Sequence, residues 1–167
     1  MTDNNEAPGA ITHEDGYFEA RLARTIAHEP KTVWAALTEP EQFVNWLAPG
    51  TIEKRRGGLA RLDFVDSGIV IDSTVTEFDA PEVLEYSWSS SGEPDRPIRF
   101  ELEPVAGGTR LVLRIAVPDN EDMARSCAGW EAHLMMLLAA LEGVPIKFPF
   151  ERFQQTREVY KQMIAAL

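Results

Sequence analysis

Between Pro49 and Pro118 the chain is a procession of short runs in which apolar and polar residues alternate. They are broken by turn residues: Gly57-Gly58, Ser67-Gly68, Asp79-Ala80-Pro81, Ser91-Gly92 and Gly107-Gly108. A period of two puts successive side chains on opposite faces of an extended strand, so these runs predict a six-strand meander joined by hairpins. Ala60, Leu62 and Phe64 share a face, as do Leu84, Tyr86 and Trp88, then Ile98, Phe100 and Leu102, then Leu111, Leu113 and Ile115. The opposite faces carry Arg61 and Asp63, Glu85 and Ser87, Arg99 and Glu101, Arg110 and Arg114. One apolar and one polar face per strand implies an antiparallel sheet that is wetted on one side and covered on the other.

The cover is the stretch from Glu121 to Glu142, where Met123, Cys127, Trp130, Leu134, Leu137, Leu138 and Leu141 recur at helical spacing. Asp119 or Asn120 is the expected cap at its start, and Gly143 closes it. Ahead of the meander, Phe18, Ala20, Leu22 and Ile26 alternate with polar neighbours as a first strand beginning at Tyr17. Pro30 and Pro40 then each open a short helix, one with Val33, Trp34 and Leu37 and the next with Phe43, Trp46 and Leu47. Residues 1–16 carry four acidic and no basic side chains and little apolar content, and are expected to be a loose tail. Residues 17–146 form the folded domain. Residues 147–167 are a helical extension, with Phe150, Phe153, Tyr160, Met163, Ile164 and Leu167 as its apolar side. The class is α+β, with about seven strands.

Composition narrows the function. A length of 167 residues fits one domain, and a formal net charge of −11 is the wrong sign for gripping phosphates, so no nucleic-acid partner is expected. One cysteine, Cys127, cannot form an internal disulfide, and the first residues lack the basic and apolar regions of a signal peptide, which points to the cytoplasm. The longest apolar run, Leu134 to Leu141, is far short of a membrane span. His13, His28 and His133 are not spaced as metal ligands, and the paired glycines lie in turns that open no helix, so neither a metal nor a nucleotide cofactor is expected.

Several local runs carry a family resemblance. They are Val33-Trp34-Ala35-Ala36-Leu37-Thr38-Glu39-Pro40 with Trp46, the run Ala80-Pro81-Glu82-Val83-Leu84-Glu85-Tyr86-Ser87-Trp88, then Phe100-Glu101-Leu102-Glu103-Pro104 with Gly107-Gly108-Thr109-Arg110-Leu111, and last Gly129-Trp130 with His133-Leu134. In this order they resemble the SRPBCC, START-like superfamily, in the branch named after the C-terminal domain of the activator of the ninety-kilodalton heat-shock chaperone's ATPase. The resemblance spans roughly Tyr17 to Val144. It implies a helix-grip fold, in which a curved antiparallel sheet wraps the long helix and leaves a cavity between them. Relatives bind hydrophobic small molecules, cyclise polyketides or stimulate a chaperone, so the fold alone does not choose among these.

The leading expectation is a cofactor-free module that binds a hydrophobic or amphipathic small molecule in that cavity. Trp46, Phe64, Trp88, Phe100, Trp130, Leu134 and Leu137 are its expected apolar walls, with Tyr86 and His133 orienting the ligand by hydrogen bonds. A cyclase- or dehydratase-like enzyme would need a titratable group inside, for which Asp72 and His133 are the candidates. Asp72 points inward only if the Val70 and Phe78 face does; on the Ile71 and Val75 alternative it is merely solvated. A chaperone-activator-like regulator would instead use an acidic outer sheet face. The last helix is expected to dock on its own domain, with a homodimer or a protein partner as its alternatives.

Overall fold

A computed structural model describes residues 8–167. The elements are β1 (Ala10–Glu14), β2 (Tyr17–Ile26), α1 (Pro30–Thr38), α2 (Pro40–Phe43), β3 (Gly50–Ile52), β4 (Leu59–Phe64), β5 (Ile69–Asp79), β6 (Val83–Ser87), β7 (Pro97–Val105), β8 (Gly108–Pro118), α3 (Met123–Leu141) and α4 (Phe150–Ala165). The strands form one antiparallel sheet in the order β1-β2-β8-β7-β6-β5-β4-β3. From β3 to β8 this is a six-strand meander, and β2, the strand before the short helices, returns to pair with β8 along its whole length. The sheet, with α3 on its apolar side, is the helix-grip architecture.

There are eight strands, one more than the alternation predicts, because residues 10–14 are not loose. They pair with β2 from Ala10↔Arg21 to Glu14↔Tyr17, leaving Asp15-Gly16 as a two-residue loop. Both loop residues have positive φ, 54° and 82°, which is the backbone that an Asp-Gly hairpin turn supplies. Ile11 is buried beneath the pairing. Residues 1–7, the rest of the expected tail, lie outside the described residues.

The inward positions are those the alternation assigns: Leu62, Leu84, Tyr86, Ile98, Phe100, Leu102, Leu111, Leu113 and Ile115 are all buried. They face Cys127, Trp130, Leu134 and Leu137 of α3 in one core. The cap of α3 is Asp122, not Asp119 or Asn120, and its carboxylate accepts a hydrogen bond from the Arg125 backbone N–H at 3.0 Å. Gly143, at φ 78°, ends the helix in the left-handed region.

α4 docks on α3, and the contact is polar at its centre. The Tyr160 hydroxyl donates to Glu131 Oε2 and accepts from the Gly9 backbone N–H, while Arg24 of β2 donates to Glu131 Oε1. Arg24 occupies an inward position of β2, between Leu22 and Ile26, and both charged side chains are about nine-tenths buried. One carboxylate therefore ties β2, α3, α4 and the start of β1 together. Burial, and then the negative Glu131, push the Tyr160 hydroxyl above the ordinary phenol range.

The outer sheet face is mixed in sign rather than acidic. Glu101 is bound by Arg99 at 2.7 Å and Arg114 at 3.1 Å, and Arg61 faces Asp72 at 3.4 Å. Arg61 pairs with Asp72 directly across β4 and β5, Arg114 reaches Glu101 from the neighbouring strand, and Arg99 reaches it along its own strand, each an attraction of opposite charges. No helix of the described residues is long and apolar enough to cross a membrane.

Candidate functional site

Aromatic rings run without a break from the centre of the core to the edge of the sheet–helix interface. Trp46, in the turn after α2, is held by its indole N–H donating to the Ala36 carbonyl at 2.8 Å. Its ring meets Phe100 of β7 edge-on at 6.4 Å, and Phe100 meets Trp130 of α3 at 6.1 Å. Trp130 contacts Trp88, just beyond β6, at 4.9 Å; Trp88 contacts Phe64 at the end of β4 at 5.6 Å. Phe64 and Trp130 both touch the His133 imidazole, at 6.2 and 5.7 Å. These separations and tilts are those preferred by aromatic pairs.

The outer side of His133 is covered by a residue the alternation and periodicity did not single out. Phe148, in the strap between α3 and α4, lies edge-on to the imidazole at 5.6 Å and also contacts Phe150 and Phe153. Phe148 sits between Pro145 and Pro149, where no periodicity exists to reveal a face. The one sequence signal is the density of phenylalanine at positions 148, 150 and 153. Phe64, Trp88 and Phe148 are half-buried, whereas Trp46, Phe100 and Trp130 are buried.

Of the predicted site residues, Trp46, Phe64, Trp88, Phe100, Trp130 and His133 are brought together. Leu134, Leu137 and Tyr86 are buried in the same core. Asp72 is not part of the site. It is exposed, on the solvent side of β5 opposite Arg61, while Ile71 and Val75 take the inward positions. A carboxylate avoids the interior when it has no partner there, and the two apolar side chains claim that face. Asp72 therefore cannot serve as an acid or base inside the grip.

The interface between sheet and α3 is packed with the buried side chains named above. Between Trp88, Ile98, Ile115, Val117 and Trp130 the open space is about 30 Å³, room for roughly one water. A larger recess, about 550 Å³, lies on the surface between the β2–α1 loop and the β7–β8 turn, with His28, Pro30, Val105 and Gly107 among its walls and no aromatic ring. It is an open depression and not a grip cavity.

Two polar groups stand out in this apolar setting. The Tyr86 hydroxyl is buried, which pushes its pKa above the ordinary phenol range, and no described residue bonds to it. His133 donates from Nδ1 to the Trp46 carbonyl at 3.0 Å. Burial holds its pKa below the ordinary imidazole value, partly opposed by that backbone bond. Cys127 lies deeper; burial and then Glu131 push its thiol up to about 12, so it stays protonated and unreactive near neutral pH. Among the described residues no group of His, Cys, Asp and Glu could hold a metal ion.

The lowered His133 pKa has a direction on stability. Above about pH 6.5 the ring is neutral in both folded and unfolded chains and carries no penalty. As pH falls below that value the unfolded ring takes a proton that the folded site resists, so stability is lost progressively until the folded ring also protonates. The difference between the urea stabilities of the wild type and His133→Gln is expected to shrink below pH 6.5. A difference that is flat from pH 7.5 to 5 would contradict it.

Comparison with known proteins follows the same architecture. MLL2253 from Mesorhizobium loti is 24% identical, over 77% of this chain and 99% of its own, with a TM-score of 0.69. CalU16 from Micromonospora echinospora is 18% identical over 99% of each chain, with a TM-score of 0.75. DynU16, from the dynemicin biosynthetic locus, is 26% identical over 79% of this chain, with a TM-score of 0.70, and this chain spans 49% of its length. No curated protein matches. The family model for "Activator of Hsp90 ATPase homolog 1-like protein" matches residues 27–142, which run from the loop before α1 to the end of α3 and so include both short helices, the meander and every ring of the site except Phe148. The chain belongs to that family, within the SRPBCC group.

Proposed function

We propose that the chain binds a hydrophobic or amphipathic small molecule at the aromatic end of the interface between sheet and α3, and that Phe148 closes the site when it is empty. The observation that carries this reading is the position of Phe148: a half-buried ring, on a strap with Val144, Ile146 and Lys147 exposed, covers His133 at the outer end of a continuous aromatic wall. Closure is the expected empty state. A dry void of about 300 Å³ would cost roughly 7 kcal/mol at about 24 cal/mol per Å³, comparable with the whole stability of a domain. Rings that fold inward when no ligand is present avoid that cost, and they leave again for a ligand that offers equivalent contact. The buried Tyr86 hydroxyl, which has no bond to a described residue, supports the reading, since a ligand or water that met it would recover a hydrogen bond.

The likeness to a protein of the dynemicin biosynthetic locus fits a small-molecule partner. An enzymatic reading has less support, because Asp72 faces solvent and His133 is the one titratable ring in the aromatic set. We place the protein in the cytoplasm on its single, buried, unpaired cysteine.

The test is a panel of naphthalene-, anthracene- and sterol-sized molecules read by indole fluorescence and melting temperature, with the wild type and Phe148→Ala side by side. Binding in the wild type, with association at least several-fold faster in Phe148→Ala, is the expected result, because the cover no longer has to move. If no panel member shifts either signal in either protein, the interface is a closed core and the proposal fails.

A further inference from the structure

His133 is held in one tautomer by its surroundings. The Trp46 carbonyl can only accept, so the ring nitrogen facing it at 3.0 Å, Nδ1, carries the hydrogen. Nε2 of the neutral ring is then a bare acceptor, and among the described residues nothing donates to it. Arg157 Nε is the one fully sealed side-chain polar atom without a partner among the described residues, so Nε2, like the Tyr86 hydroxyl, keeps slight access from outside. Phe64 and Phe148 offer the imidazole only carbon, and the Trp130 indole, 5.7 Å away between ring centroids, makes no hydrogen bond to it.

From this geometry we infer that the ligand of the aromatic site carries a hydroxyl or N–H on an aromatic or similarly flat apolar body, and that it donates this hydrogen to His133 Nε2. The inference rests on the binding reading above and adds the chemical class of the ligand and the residue that selects it. The backbone bond at Nδ1 makes the selection firm. It prevents the ring from switching tautomer to offer Nε2–H instead, so a ligand that brings only an acceptor, such as an ether or ketone oxygen, meets a lone pair. Desolvation, which keeps the imidazole uncharged near neutral pH, likewise denies a carboxylate the cation it would need.

The probes are 1-naphthol, its methyl ether 1-methoxynaphthalene, and 1-naphthoate, titrated calorimetrically at pH 7.5 into the wild type, His133→Phe and Phe148→Ala. The wild type should bind naphthol about tenfold more tightly than the ether, and naphthoate weakest of the three; tenfold corresponds to about 1.4 kcal/mol, within the range for leaving a buried acceptor unmet. His133→Phe, which keeps a flat ring but has no acceptor, should bind naphthol and ether within about twofold of each other. Long-range proton–nitrogen spectra of the wild type should show an unprotonated Nε2 whose resonance moves with naphthol and stays with the ether, a result that needs no variant to fold. Equal affinities for naphthol and ether in the wild type, or a naphthol preference that survives in His133→Phe, would overturn the role of Nε2 while leaving the aromatic site in place. Failure of all three probes to bind either the wild type or Phe148→Ala would overturn both.

Discussion

Replacing Arg24 with methionine is expected to remove about 3 to 5 kcal/mol of folding free energy in urea denaturation, the range for a buried carboxylate stripped of its cation. Glu131 sits where β2, α3 and α4 meet, with one oxygen bound by Arg24 and the other by the Tyr160 hydroxyl. Removing Arg24 leaves its charge nine-tenths buried against apolar neighbours, whereas removing both charged partners removes the problem with them. The double variant Arg24→Met, Glu131→Leu should therefore recover most of the loss. Tyr160→Phe keeps the ring packed and deletes only the hydroxyl, which bonds Glu131 and the Gly9 backbone, so about 1 to 2 kcal/mol is expected. A double variant no more stable than Arg24→Met would show that the carboxylate is not the liability described here.

The second large effect is at Trp130. It is the ring through which the inner pair, Trp46 and Phe100, connects to the outer ones, Trp88 and His133. It is only 5% exposed, and truncation to alanine should cost about 3 to 5 kcal/mol, or roughly 6 to 20 °C in melting temperature for a chain of this size. The void left behind is lined by aromatic rings and has the shape of the indole removed. Added indole should raise the melting temperature of Trp130→Ala in a concentration-dependent way and leave the wild type unchanged, because the ligand stabilises only the form with room for it. A loss below about 1 kcal/mol, or no rescue by indole, would mean that neighbouring side chains collapse into the gap and that the rings do not form a shape-keeping wall.

These two sites also mark where sequence reasoning succeeds and where it stops. The meander, the two proline-led helices and α3 were all legible because each depends on a local period, and burial of one face is enough to enforce it. β1 is not legible although Asp15-Gly16 is a hairpin turn in plain view, because the acidic, apolar-poor composition of the segment is that of a tail. Its one apolar anchor, Ile11, pairs across that turn with Ala20 and is buried only because β2 is itself seated on the core. Arg24 and Glu131 were legible only as exceptions, a cation on the inward face of a strand and an acid within the apolar stripe of a helix. Sequence periodicity treats such residues as noise, yet when two exceptions of opposite charge face each other they make an anchor.

The architecture, the inward set of aromatic side chains and the family are written into the order of residues, because alternation, helical spacing and turn chemistry act over a few residues and leave their trace along the chain. Three things rest on distances between remote segments and so on the tertiary structure alone: that Asp72 faces water, that one carboxylate holds four elements together, and that Phe148 lies across His133 while the Trp46 carbonyl accepts a hydrogen bond from its Nδ1–H. Which side of an imidazole is bonded and which is open depends on a carbonyl 87 positions away along the chain, and no local pattern encodes that contact.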